Sequence, residues 1–450
     1  MPQGAARPAY DRTGKAVGIL HFGLGAFTRA HQAWYTDRAM ELDGGDWMIV
    51  GVSMRSSDVA EQLNPQDGLY MLAERSGEGT SLRLIGSIAH VLLAGADRAA
   101  IIDHLAAPTT HIVSFTVTEK GYCRSADGRL DQALAERGFY PLLAEGLDRR
   151  RQAGLSGLTL MSCDNLADNG HQLRALLRQY LATRDAGLLA WFETHCTTPC
   201  TMVDRIVPAT TAQDRAWLEG ITGLRDEGAV VTEPFSQWVI EDAFAGPRPA
   251  WERVGAQIVG DVTPYETAKL RMLNGAHSAL AYLGLERGHT FVHEAVADPA
   301  LRALIERMML AEAAPTIEAG AGQDLPAYAQ ALLARFANRA LDHRLIQIAM
   351  DGSQKIPQRW LATLAIHQRA GRDCPAILTA LGAWLRHVRG DVRPVEDPRA
   401  ADLAAAWARH GEEGVVEAIL GKGGLVPSEW RPDVTYAELP MAQGQSARAK

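Results

Sequence analysis

No run of the 450-residue sequence comes near the roughly 18 consecutive apolar residues that a membrane-crossing helix needs, so no membrane partner is expected. The opening MPQGAARPAYDRTGKAV holds no apolar stretch of signal-peptide length, and a cytoplasmic protein is the reading. Cysteine is scarce: five, an odd number scattered through a long chain, do not make a disulfide framework, which fits a reducing compartment. HCTTPC offers His195, Cys196 and Cys200, but no second Cys/His pair completes a tetrahedral set, so no metal is expected. A long basic block is also missing. The net charge of -8 comes from dispersed acids, which excludes nucleic acid as a partner. What the chain does have is 47% apolar residues and more length than one core usually supports, so two domains are expected.

From 17 to about 215, short runs rich in Val, Ile and Leu alternate with longer amphipathic stretches. VGILHFGLG, WMIVGVS, LRLIGSI, HIVSFTVTE, LTLMSCDN and TMVDRIVPA are each of strand length. AAIIDHLAA, YPLLAEGLDRRRQAG and NGHQLRALLRQYLATRD between them have helical periodicity. Parallel strands need crossovers that are usually helical, so this alternation predicts an α/β fold with a Rossmann-type, doubly wound sheet. After about 260 the β-branched runs thin out and helical spacing dominates, predicting a mostly α-helical C-terminal domain. Prolines and glycines in FAGPRPAWERVG and VTPYE interrupt the periodicity. The boundary is placed accordingly, with a dinucleotide-binding domain at 1–258 and a helical substrate domain at 259–450. The closing MAQGQSARAK reads as disordered.

After the first apolar run, Gly23, Gly25 and Phe27 form G-x-G-x-F, without the third glycine of the usual dinucleotide fingerprint. Such glycines let a backbone turn tightly and approach a pyrophosphate; taken alone, an ordinary structural turn explains them as well. Beyond the second run, Asp58 is placed to bind ribose hydroxyls and repel an added phosphate, whereas Arg55 close by would welcome that phosphate.

The segment ETAKLRMLNGAHSALAYLG sets Lys269, Asn274 and His277 among residues suited to a packed helix. On an α-helix the three fall within roughly 140° of arc, so they can face one cleft. Oxidation of a secondary alcohol needs a base for the hydroxyl proton and donors for the negative charge growing on oxygen. A lysine can be that base if burial disfavours its charged form, and asparagine amides can be the donors. A histidine can hold the hydroxyl in line. Structural alternatives stand beside this: a snorkelling lysine, an Asn-Gly helix end, a satisfied core histidine.

Other polar residues fall where apolar runs end. Asn165 follows LTLMSCD and Glu119 follows HIVSFTVT, at edges where such sheets bind ligands, while Asp204 lies inside TMVDRI. Each has a plain alternative as a cap or a paired carboxylate. Glu266, three residues before Lys269, can relay a proton or pair with a base. Arg344, Lys355 and Arg359 gather around a glycine turn, where they can receive a substrate carboxylate or simply line a solvated face, and Arg271 is a further candidate.

HFGLGAFTRAHQAWY, TVTEKGYC, SCDNLADNG, CTMVDRIVPA, EPFSQWVIED, KLRMLNGAHSALAYLG and IAMDGSQKIPQR, in that order, resemble the polyol-specific long-chain dehydrogenases, also called the mannitol dehydrogenase family. The resemblance runs from about 17 to at least 360. It implies a Rossmann-type domain, a helical domain, NAD as cofactor, zinc-independent chemistry, a sugar acid or polyol as substrate, and a monomer or weak oligomer. Carried over by motif, Lys269 is the general base, Asn165 and Asn274 are oxyanion donors, and His277 orients the substrate. Glu119 and Glu266 match acids near the base and proton path, and Asp204 and Lys355 match polar residues of the site. The motifs look closest to the branch that interconverts D-fructuronate and D-mannonate. Gln347 stands where mannitol dehydrogenases carry an arginine, and Ser57–Asp58 where they tend to carry two acids.

Overall fold

The computed structural model describes residues 5–125, 127–340 and 342–441, so the reading of the last ten residues falls almost wholly outside them. The chain divides into two compact units, Met1–Val262 and Thr263–Lys450.

The first unit is built on five parallel strands, β1 (Val17–Phe22), β2 (Met48–Ser53), β5 (Ile88–Leu93), β6 (Ile112–Phe115) and β7 (Thr159–Ser162), in the order β5-β2-β1-β6-β7. Strands β2, β6 and β7 are buried at every position, the signature of a sheet covered on both faces. Alternate residues serve the two faces. Leu20, Phe22, Val50, Val52, Val113 and Phe115 point to one apolar cluster. Ile19, Ile49, Ile112 and Met161 point to the other. Helices Arg98–Ala106, Tyr140–Gln152 and Asn169–Ala182 pack against the first cluster. Each such fully buried side chain contributes about 1.5–3 kcal/mol relative to exposure.

Two sequence expectations change in detail. LRLIGSI is not one strand of the main sheet. Its first part belongs to β4 (Gly79–Ile85), which pairs antiparallel with β3 (Tyr70–Ser76), and β3 in turn pairs with β9 (Val230–Thr232). The chain changes sheets at Gly86 and Ser87, where side-chain hydrogen bonds join the backbone bond from Ile49 N to Ser87 O. Gly86 N donates to Asp37 Oδ1 at 2.9 Å, Arg12 Nε donates to Gly86 O at 2.7 Å, and Ser87 Oγ donates to Ala33 O at 2.7 Å. TMVD likewise leaves the main sheet. It forms β8 (Thr201–Asp204), antiparallel to β10 (Gln237–Glu241), which pairs with β11 (Gln257–Val259). Because β11 belongs to that small sheet, the first unit runs on to Val262, past the boundary placed at 258/259.

The second unit is helical. Its centre is helix Gly275–Glu286, buried on almost every side and continuous with Thr263–Ala268 through a π-helical stretch, Lys269–Asn274. Two further π-helical stretches, Met308–Ala313 and Pro357–Leu361, are in the same unit. Trp360, Trp384 and Tyr282 are completely or almost completely buried in its core. Among the described residues, no helix is long and apolar enough to cross a membrane.

Candidate active site

Strand β1 marks the point where the sheet order reverses, with β2 and β5 on one side and β6 and β7 on the other. Sheets wound this way bind ligands beyond the carboxyl ends of their strands at that point. The register aligns Phe22 with Val52 and Phe115, and Phe115 with Ser162. The segments bearing Gly23 and Gly25, Arg55 and Asp58, Glu119, and Asn165 therefore all leave the same edge.

Gly23 has φ +90°, and a Cβ there would lie 2.2 Å from Thr116 O, so conformation and contact both demand glycine. Gly25 differs. Its φ is −119°, and the nearest atom to a Cβ built there is Gly23 O at 3.8 Å. Nothing inside the chain requires Gly25; its bare backbone stays open to close approach from outside, which is what a pyrophosphate needs. The chain then forms the short helix Ala26–Ala30, breaks at His31 and resumes as Gln32–Asp43. Phe27 stacks on His31 with centroids 5.0 Å apart. Arg55 and Asp58 are both exposed, and Ser57 precedes the helix Asp58–Leu63 that Asp58 begins, its hydroxyl donating to Glu61 Oε1 at 2.6 Å.

Beneath the glycine turn lies a polar network on a face that strand alternation would otherwise fill with apolar groups. His21 is completely buried, with Nδ1 2.8 Å from Ser114 Oγ and Nε2 2.8 and 2.9 Å from the hydroxyls of Thr116 and Thr28. Ser114 donates to Gln32 Oε1 and Thr116 to Gly23 O, each at 2.8 Å. These bonds assign the protons: His21 Nδ1–H donates to Ser114, and Nε2 accepts from Thr28. Burial pushes the His21 pKa down to about 3, so the ring is neutral and pins Gly23 to the end of β6.

That shift has a measurable consequence. Between 6.5, the ordinary value, and about 3, the unfolded chain carries a proton on His21 that the folded chain refuses. Stability therefore falls as pH drops through that window, by up to about 1.4 kcal/mol per pH unit from this residue. His21→Gln, which cannot titrate, is expected to flatten the dependence of the urea midpoint on pH there. Equal slopes in the two proteins would remove His21 as the cause.

Asp164 was not singled out by sequence, yet it joins the two loops that carry Glu119 and Asn165. Its carboxylate accepts from the backbone N–H groups of Val117 and Thr118, each at 2.9 Å, and from Tyr122 Oη at 2.8 Å. Burial raises its pKa, and the hydrogen bonds from Tyr122 and the two amides act against that rise. The contacts hold Thr118 at φ +63°, in the left-handed region. Glu119 and Asn165 are exposed beside this clamp. Asn169 fixes the far side of the Asn165 loop by donating to Asp164 O at 3.1 Å and Thr201 O at 2.8 Å while accepting from Thr201 N at 2.9 Å. Asp204 is buried at the other end of β8, opposite Gln237.

In the second unit, Lys269 and Asn274 open and close the π-helical stretch, a feature frequent at functional sites. In a π turn residue i pairs with i+5, so Asn274 stands one turn beyond Lys269 rather than the 140° away that an α-helix gives. Asn274–Gly275 does not end the helix: Gly275 has helical φ −62° and ψ −51°. Lys269 is 9% exposed. Glu266 is half-buried one turn earlier. The stretch Pro357–Leu361 fastens to this segment, with Arg359 Nη1 donating to Ser278 Oγ at 2.6 Å and Asn274 O at 3.3 Å, and Trp360 Nε1 to Gly275 O at 3.1 Å.

His277 stacks on Phe336 and meets His343 edge-on at 4.7 Å. Its pKa is driven well below the usual value, first by burial and then by His343, Arg359, Arg335 and Lys355. The imidazole is neutral, and its Nε2 is buried without a hydrogen-bond partner among the described residues. Burial pushes the Arg359 pKa down to about 10 against the opposing pull of Tyr282, and lowers the Lys355 pKa too, with Arg359 adding to the fall and Asp351 and Asp397 opposing it. Lys355 Nζ donates only to Met350 O, at 2.6 Å, and among the described residues no carboxylate lies within ion-pair distance of Lys355 or Arg359. Arg344 is not part of this group: it is exposed, its guanidinium 5.8 Å over the Phe291 ring. Arg271 is engaged with Thr316, donating to its O at 2.6 Å and Oγ1 at 2.9 Å. Within each unit, then, the named residues fall into one neighbourhood, Arg344, Arg271 and Asp204 excepted.

Two family descriptions match the sequence: the mannitol dehydrogenase Rossmann domain over residues 17–253, and the mannitol dehydrogenase C-terminal domain over 261–424. D-mannonate oxidoreductase of Escherichia coli (strain K12) is 41% identical over 441 residues, spanning 93% of this chain and 91% of that one. The ternary complex of Pseudomonas fluorescens mannitol 2-dehydrogenase with NAD and D-mannitol superposes with a TM-score of 0.78 at 38% identity, covering 90% of this chain and 86% of that one. A D-sorbitol dehydrogenase in substrate-free form gives a TM-score of 0.84 at 36% identity, covering 88% and 86%. The chain belongs to the mannitol dehydrogenase family and is an oxidoreductase built from that family's two domains.

Proposed function

We propose that the chain is an NAD-dependent reductase of D-fructuronate, running reversibly with D-mannonate. The observation that carries this reading is the positive group of the second unit: Arg359 and Lys355, both partly buried and, among the described residues, with no carboxylate at ion-pair distance, beside the buried Nε2 of His277, which has no hydrogen-bond partner among them. Asp351 and Asp397 attract the Lys355 charge only from beyond ion-pair distance, and half-buried charge without a direct partner is costly, so an anionic substrate supplies the close contact. A sugar acid meets that requirement; a neutral polyol does not.

In the oxidising direction, Lys269 as the free amine takes the proton of the substrate hydroxyl and becomes an ammonium. Lys269 is 9% exposed, and burial in general works against a charged amine. Bound NAD supplies the acceptor for the hydride of the carbinol carbon. Asn165 and Asn274 donate amide hydrogens to the oxygen as its negative charge grows, and neutral His277 fixes the direction of the hydroxyl. Proton and hydride each have a destination without a metal ion. Glu266, one turn from Lys269, carries the proton onward, and Glu119 and Asp204 hold polar positions of the site. Gly23 and Gly25 admit the pyrophosphate, and Asp58 takes the ribose while Arg55 leaves room for NADP.

An uncharged polyol is the second reading, favoured by the likeness to the mannitol-bound P. fluorescens enzyme. Measuring kcat/KM for D-mannonate, D-mannitol and D-arabinitol with NAD and NADP separates the two. Mannonate with NAD is expected to lead, and a lead for mannitol defeats the carboxylate assignment.

A further inference from the structure

The sequence offered Cys200 alongside His195 and Cys196, but the fold separates them. His195 stacks on Trp191 at 5.1 Å, and Cys196 Sγ accepts from Leu158 N. Cys200 instead meets two residues about thirty positions earlier in the chain. Its Sγ lies 3.7 Å from Asp168 Oδ1 and 3.6 Å from His171 Nδ1, and those two atoms are 2.6 Å apart. All three potential ligand atoms fall within 4.8 Å of one another.

We propose that Asp168, His171 and Cys200 form a binding site for a zinc-class divalent cation on the first unit, separate from the alcohol chemistry.

The geometry argues for coordination over nucleophilic catalysis. A thiol–imidazole–carboxylate relay uses both ring nitrogens, one toward the thiol and one toward the acid. Here the same Nδ1 faces both partners, so the three atoms converge on one point. A tetrahedral ion with about 2.3 Å to sulfur and about 2.0–2.2 Å to nitrogen and oxygen sets its ligands roughly 3.4–3.6 Å apart. Both sulfur edges are already close to that. Only the Asp168–His171 edge has to open, and both side chains are near two-thirds exposed, so water can take up contacts they give up.

The sulfur is held in place from below. Cys200 is 3% exposed, its backbone N donates to Glu241 Oε2 at 2.8 Å, and the following residue is clamped by Asn169. Gly170 makes the approach possible. A Cβ there would lie 2.4 Å from Thr198 O and 2.6 Å from Pro199 O, so the start of helix Asn169–Ala182 rests directly on the segment that ends in Cys200. One buried sulfur and two ligands on the rim leave the fourth position to water, the arrangement of an open zinc site. The mixed sulfur, nitrogen and oxygen set favours zinc over calcium or magnesium, which take oxygen ligands.

The test uses the full-length protein stripped with a chelator and titrated with Zn2+ and, separately, Co2+. One ion per chain is expected, with a thiolate-to-cobalt charge-transfer absorption and a higher melting temperature when zinc is bound. Cys200→Ser should remove the absorption. Because Cys200 is buried and its substitution can unsettle the fold, the exposed positions decide: His171→Gln and Asp168→Asn should each weaken zinc binding by about 100-fold or more, at least the upper end of what losing an outer-shell partner costs. Unchanged affinity in both variants, or cobalt binding without thiolate absorption, would mean an adventitious ion only and overturn the site.

Discussion

Lys269→Ala is expected to lower kcat by about 10²–10⁴-fold, the range a positioned acid–base group supplies. NADH binding, read from coenzyme fluorescence, should stay close to that of the unsubstituted protein, because the residues assigned to the dinucleotide are all in the first unit. Lys269 as a whole is 9% exposed and opens a π-helical stretch, so alanine also removes buried stem. Lys269→Met keeps most of that stem and loses only the ionisable end. Both variants should be equally slow; if methionine restores turnover, the lysine acts through packing and the base lies elsewhere.

Lys355→Met and Arg359→Met are expected to lower kcat/KM for D-mannonate by about 10–150-fold each, the equivalent of losing a charged hydrogen bond worth about 1.5–3 kcal/mol. The rate on D-mannitol should change far less. Arg359 also donates to Ser278 and to Asn274 O, so its removal loosens the segment bearing Asn274 and will slow every substrate somewhat. Among the described residues Lys355 bonds only to Met350 O, which makes its variant the cleaner reading of carboxylate recognition. An equal loss on mannonate and mannitol in Lys355→Met would show that the positive group serves structure.

The parts of this site that could be seen in sequence are those written in local spacing. Gly23 and Gly25 follow an apolar run that becomes β1, and Lys269, Asn274 and His277 share a helical segment, so each group was legible within about ten residues. The His21 network was not, because its partners Ser114, on β6, and Thr116, just past its end, arrive more than 90 residues later, and histidine in an apolar run gives no sign of which neighbours will satisfy it. Asp164 escaped for a similar reason: its work is to hold Val117 and Thr118, which only the β6–β7 register brings close. The π-helical stretches share the composition of α-helices, so no periodicity announces that Lys269 and Asn274 stand one turn apart. LRLIGSI read as a single strand because apolar character alone cannot show that Gly86 bonds to the Asp37 side chain, and the Ser87 hydroxyl to Ala33 O, between two sheets. Cys200 sat in a motif that pointed to the wrong neighbours; helix packing over Gly170, not spacing, chose Asp168 and His171.

The base assignment meets its most direct test in the pH dependence of kcat/KM for D-mannonate oxidation, measured for the unsubstituted protein and for Lys269→Ala. The rate should fall on the acid side as one group takes up a proton, and that acid limb should vanish in Lys269→Ala, leaving a low, flat rate. An acid limb of the same position and slope in Lys269→Ala would contradict the assignment.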